Sequence, residues 1–117
     1  MSTICLYDGT VYTGITVLNK SAVIIRDGKI EDVVSNARLK KKNLPPDTQM
    51  FYLHGSTVCA GFIDTHIHGI NGYDTSDGKI ESILKMSESL VEYGVTGFCP
   101  TLYPQSNEDF ITCIKAI

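Results

Sequence analysis

The sequence predicts an α/β chain in two parts. A small, sandwich-like β-sheet module over residues 1–56 is followed by alternating strands and helices over residues 57–117. Three observations predict this. Runs of β-branched residues fill the first part and are separated by turn pairs, of which Asp27-Gly28 is the clearest. Beyond Asp77 the apolar residues recur at helical spacing instead of alternating. Between these regions, residues 58–69 read Val-Cys-Ala-Gly-Phe-Ile-Asp-Thr-His-Ile-His-Gly, an apolar strand that ends in two histidines and a glycine.

The elements follow in order. Ile4 to Tyr7 forms a strand ending in the turn Asp8-Gly9, and Ile15 to Leu18 one ending in Asn19-Lys20. Ala22 to Arg26 meets Lys29 to Val34 across Asp27-Gly28, because a type I′ turn needs positive φ at both central residues. Residues 35–49, with Arg38, Lys40, Lys41, Lys42 and a Leu-Pro-Pro-Asp stretch, form an exposed connection, since proline cannot donate to a ladder. Met50 to Leu53 is a short strand before His54-Gly55. After the histidine strand, Asp77 caps a helix carrying Ile80, Ile83, Leu84, Leu90 and Val91, and Gly94 ends it. Val95 to Leu102 is the next strand. Ser106 or Asn107 opens a second helix with Phe110, Cys113, Ile114 and Ile117 on one face. This βαβα order is similar to the first quarter of a (β/α)8 barrel.

The histidine strand carries the chemistry. Strand side chains alternate, so His66 and His68 share a face, with Cβ atoms roughly 7 Å apart. Two imidazoles rooted there converge on one divalent ion at about 2.0–2.1 Å per bond. A parallel α/β fold places its chemistry at this carboxyl end of a strand. Ile63 and Ile67 fill the opposite face, which is expected to be buried. Asp64 shares the histidine face, either orienting a ligand group or standing as a satisfied carboxylate. Gly69 and Gly72 permit close backbone approach in a tight loop, and Asp74 caps a turn or contacts a ligand. Tyr73 and Tyr103 line the mouth or cover the core, Thr101 packs at the same end, and His54 is a surface residue.

Gly61 to Gly69 resembles the first-strand signature of the amidohydrolase superfamily. The tracts Gly69-Ile70-Asn71-Gly72-Tyr73-Asp74-Thr75 and Gly94-Val95-Thr96-Gly97-Phe98-Cys99-Pro100-Thr101-Leu102 narrow the resemblance to the N-terminal portion of the N-acetylglucosamine-6-phosphate deacetylase family. Ala60 departs from the family's usual proline. The resemblance implies that the complete enzyme hydrolyses the acetamide of N-acetylglucosamine 6-phosphate, releasing acetate and glucosamine 6-phosphate. It implies a divalent cofactor, zinc or iron, as one or two ions, with His66 and His68 as metal ligands. It also implies a small sugar phosphate as substrate and a homodimer when complete. No catalytic acid or base transfers onto this chain, because the family's remaining ligands and its catalytic aspartate lie on later strands.

Composition excludes several classes. The 117 residues suffice for one small domain, and a net charge of −3 gives no general attraction to nucleic acid or membrane. The start lacks a signal peptide's basic and apolar regions, and no apolar run reaches 18 residues, so the expected location is the cytoplasm. Cys5, Cys59, Cys99 and Cys113 lie in apolar runs without a Cys-x-x-Cys pair and are expected to be buried, reduced thiols. The chain ends within an amphipathic helix, and two parallel strands cannot close a barrel. The expectation is therefore a truncated enzyme that is inactive in this short form. The alternatives are another amidohydrolase of the dihydroorotase or hydantoinase type, or a non-enzymatic remnant.

Overall fold

The computed structural model describes residues 2–117, in two compact units, residues 2–60 and Gly61–Ile117. The first is built on one five-stranded sheet. Strands β1 (Thr3–Tyr12), β2 (Val17–Arg26), β3 (Lys29–Ser35) and β4 (Gln49–Tyr52) lie in the order β3-β2-β1-β4, and β5 (Thr57–Val58) also pairs with β1. The strands make a single layer rather than a sandwich. The β2–β3 turn is as expected, with Asp27 at φ 49° and Gly28 at φ 76°. Arg26 pairs with Lys29 across it.

Two expected turns are instead bulges inside long strands. Between the pairs Leu6–Val23 and Gly9–Ser21, β1 carries one extra residue; between Gly9–Ser21 and Val11–Leu18, β2 carries one. Each irregular stretch holds a residue in the left-handed region, Asp8 at φ 60° and Lys20 at φ 48°. One bulge offsets the other, so the register recovers and both strands continue. Turn chemistry was present at both places, but the neighbouring strand kept the chain extended.

Residues 35–49 are also more ordered than an exposed connection. Ser35 caps the short helix α1 (Asn36–Leu39) by accepting from the Arg38 amide at 3.3 Å. Asn36 donates from Nδ2 to the Asp8 carboxylate at 2.6 Å, which ties the helix to the first bulge. Leu39 and Leu44 then pack on the core of Cys5, Ala22, Ile24 and Val34.

In the second unit, β6 (Phe62–Ile67) pairs in parallel with β9 (Val95–Pro100). A hairpin of β7 (Gly69–Ile70) and β8 (Tyr73–Asp74) follows β6 directly. Helices α2 (Ile80–Val91) and α3 (Asn107–Ala116) complete it. The strand expected to reach Leu102 stops at Pro100. Lys79 occupies the N-cap position of α2 without a side-chain bond, displacing Asp77 from the expected role. Asp77 still accepts from the Lys79 amide at 2.9 Å and from the Ser82 hydroxyl at 2.5 Å. These bonds fix the helix rotation: Ser82, Met86 and Leu90 are buried one above another, while Ile80, Leu84 and Val91 are exposed. Gly94 closes the helix end at φ 74°. Ser106 caps α3 by accepting from the Asp109 amide at 3.2 Å. Of its expected stripe, Cys113 is buried while Phe110, Ile114 and Ile117 are exposed.

Two further expectations are corrected. Ile63, on the face opposite the histidines, is 70% exposed and Ile67 is half-buried, because two strands and two helices cover only part of that face. Cys59 and Cys99 are exposed thiols; only Cys5 and Cys113 are buried.

Burial sets the first expected outcome. Ile24 is 1% exposed, so Ile24→Ala should cost about 2–5 kcal/mol in denaturant unfolding. Ile30, 70% exposed, should change stability by no more than about 0.5 kcal/mol when replaced by alanine. The second outcome concerns pH. Partial desolvation pushes the Asp77 carboxyl up, but the Ser82 hydroxyl, the Lys79 amide and the Lys79 charge together hold it below its ordinary value. A depressed carboxylate adds stability above its unfolded pKa, lost as pH falls through the folded one. The stability gap between wild type and Asp77→Asn should therefore be full near neutrality and close in acid, as read by unfolding curves across pH.

Candidate functional site

The site forms where β6 gives way to the β7–β8 hairpin. His66 lies on β6 and His68 directly follows its last residue, Ile67; the two rings converge, with their Nε2 atoms 3.2 Å apart. Two nitrogen ligands on one ion, each at about 2.0–2.1 Å and at tetrahedral to octahedral angles, stand about 2.9–3.4 Å apart. The donor pair therefore fits a shared divalent ion. It supplies only part of a ligand set: among the described residues no group of three His, Cys, Asp or Glu side chains is placed to hold a metal.

The surroundings hold the pair at a solvent-open recess. His66 is exposed and His68 half-buried. Asp64 reaches forward along its own strand and accepts from the His66 amide at 3.0 Å, so it braces the backbone rather than a ring. The His68 imidazole meets the His66 ring edge-on, with centroids 5.1 Å apart, and lies flat against Tyr103, with centroids 4.0 Å apart and an interplanar angle of 13°. Its Nδ1 is buried and has no hydrogen-bond partner among the described residues.

The strand ends are joined by Thr75, 1% exposed. Its amide donates to the His68 carbonyl at 2.8 Å, and its Oγ1 lies 2.5 Å from the Thr101 carbonyl and 3.0 Å from that of His68. A hydroxyl carries one proton, which the shorter contact assigns to Thr101. The amide and hydroxyl of one residue thus fasten the exits of both parallel strands. Thr101 adds a bond from its own amide to the Ile67 carbonyl at 2.8 Å.

Other candidates fall into place around this. Asp74 caps the 3-10 turn Thr75–Asp77, accepting from the Ser76 amide at 2.6 Å. Gly69 must lack a side chain, because a Cβ there would strike the Tyr73 carbonyl across the hairpin. Tyr73 lies on that hairpin and is exposed. His54 belongs to the first unit, where its ring lies tilted against Tyr52, with centroids 4.1 Å apart and an interplanar angle of 48°. Sequence reasoning missed the hairpin and Thr75. The hairpin had a signal: Asn71-Gly72, at φ 54° and 83°, is a type I′ pair between short β-forming runs. Thr75 carried no local signal, since its partners lie 7 and 26 residues away.

Known proteins agree with this architecture. Residues 5–57 match the family described as the NagA composite domain. The chain is 32% identical over 111 residues, 94% of its length, to N-acetylglucosamine-6-phosphate deacetylase of Haemophilus influenzae. It is 35% identical over 100 residues, 86% of its length, to the enzyme of that name from Bacillus subtilis. It spans 28% and 24% of those relatives. Among solved structures, the deacetylase from Pasteurella multocida superposes with a TM-score of 0.85 at 23% identity, over 97% of this chain and 29% of that one. A deacetylase mutant from Mycobacterium smegmatis, in complex with N-acetyl-D-glucosamine-6-phosphate, gives 0.82 at 24% identity, over 99% and 29%. No helix among the described residues is long and apolar enough to cross a membrane.

The clasp sets an expected outcome. Thr75→Val keeps the shape and the amide bond but leaves the Thr101 carbonyl without its donor. Loss of a buried partner of this kind should cost about 1–3 kcal/mol in unfolding measurements. Thr75→Ser should recover most of it.

Proposed function

Because this chain is similar over nearly its whole length to the N-terminal portion of N-acetylglucosamine-6-phosphate deacetylases, we propose that it is that portion of a metal-dependent amide hydrolase. The substrate is N-acetylglucosamine 6-phosphate, and the products are acetate and glucosamine 6-phosphate. In this reading residues 1–56 form the β module, and residues 57–117 open a (β/α)8 catalytic barrel. The observation that carries it is the convergence of His66 and His68 at the end of a parallel strand, with Nε2 atoms 3.2 Å apart.

His66 and His68 are proposed as two ligands of a divalent ion. A bound divalent ion of this kind lowers the pKa of water and polarises an amide carbonyl. The chain's own residues supply position. With Nε2 as the donor atom, each ring keeps its proton on Nδ1. The Asp64 carboxylate holds the His66 backbone, and the Thr75 amide holds that of His68. Their side chains thus leave an ordered strand end at fixed spacing. The remaining ligands and the proton-transferring carboxylate are assigned to segments outside these 117 residues, so the chain alone should be inactive.

A chimera tests the reading. Residues 1–117 would replace the matching N-terminal portion of the Haemophilus influenzae enzyme, and acetate release from N-acetylglucosamine 6-phosphate would be followed. Expected are turnover by the chimera, none by the 117-residue chain, and a loss of roughly 100-fold or more in the chimera on His66→Ala or His68→Ala. A folded, metal-loaded chimera without turnover overturns the substrate assignment. A chimera indifferent to both histidine changes overturns the ligand assignment.

A further inference from the structure

Metal-binding histidines are ordinarily oriented by a hydrogen bond from the ring nitrogen that does not face the metal. At His68 that bond is missing among the described residues: Nδ1 is buried and unpartnered. The Tyr103 ring lies against the imidazole instead, 4.0 Å away and within 13° of parallel. Tyr103 is itself held in place. Its amide donates to the Ser76 hydroxyl at 3.2 Å, and Ser76 directly follows Thr75, whose amide holds the His68 carbonyl. The backbone of His68 and the plate against its ring are therefore fixed by adjacent residues of one turn.

We propose that Tyr103 is a positioning residue for His68, setting the plane of the imidazole by stacking where a hydrogen-bonded partner would ordinarily do so. The role belongs to the aromatic face. Tyr103 is 50% exposed, so its removal leaves little buried volume empty and should not unfold the chain. Without the plate, the His68 ring turns about its side-chain bonds, and Nε2 spends less time facing that of His66. The proposal rests on the reading of the two histidines as metal ligands.

Zinc(II) affinity of the chimera that carries residues 1–117 in the Haemophilus influenzae enzyme, where the remaining ligands are supplied, tests it by competition with a chromophoric chelator, alongside the imidazole proton resonances of His68. Tyr103→Phe should keep zinc affinity within about twofold. Tyr103→Leu and Tyr103→Ala should weaken it by about 10-fold or more, the scale set by loss of an orienting partner. In those two variants the His68 ring protons should also lose the upfield shift imposed by the neighbouring aromatic face, with circular dichroism unchanged. If His66→Ala and His68→Ala leave zinc affinity as it was, the ligand reading fails, and this proposal with it. If those two changes weaken binding and Tyr103→Leu does not, the positioning role alone is overturned. If Tyr103→Phe weakens binding as much as Tyr103→Leu, the hydroxyl rather than the ring is responsible, and stacking is overturned.

Discussion

The second unit depends on the Thr75 clasp. A parallel strand pair has no tight turn to hold its two exits together; its ends are separated in sequence by a whole crossover. Here one buried residue closes that gap, with its amide on the His68 carbonyl and its hydroxyl on that of Thr101. The histidine side chains are mounted on the backbone that this residue fixes. The hairpin between them and Thr75 works to the same end, because the left-handed pair Asn71-Gly72 turns the chain back within two residues. The clasp is therefore reached after only seven residues, too few for the chain to wander.

The first unit meets a similar demand by another route. Strand β1 has β2 on one side and must accommodate the kinked run from β4 to β5 on the other. His54 and Gly55, both left-handed, carry the edge chain around the bulge at Asp8. Gly9 makes the close approach possible, since a Cβ there would lie 2.5 Å from Leu53 Cδ1 and 2.9 Å from the Ser56 carbonyl. The edge remains bonded through the kink: the amides of Leu53 and Gly55 donate to Tyr7 and Asp8, and that of Thr10 donates to Ser56.

What could be read from the sequence divides by the range of the forces involved. The Asp27-Gly28 turn, the Ser106 cap and the convergence of His66 and His68 follow from a residue and its immediate neighbours, and each was legible. Asp8-Gly9 and Asn19-Lys20 misled because a positive φ serves a bulge as well as a turn, and only the partner strand decides between them. The buried stripe of α2 misled because Ser82, a polar residue, is turned inward by its bond to Asp77, which carries Ile80 and Leu84 outward. At the site, the histidine pair was written in the strand, whereas the plate on His68 depends on a ring 35 residues further along, which no local pattern announces.

The placing of β1 has a kinetic consequence. The first strand of the chain is central in its sheet, and its partners on one side come from residues 49–58. The β2–β3 hairpin closes over two residues and can form early, but β1 must find β4 across more than 40 intervening positions. Closing a loop of that length costs chain entropy before any long-range contact rewards it. During synthesis, one side of β1 therefore stays open until the run through Val58 has left the ribosome, and the short α1 segment, tied to Asp8, lies between the early half of the sheet and the late one.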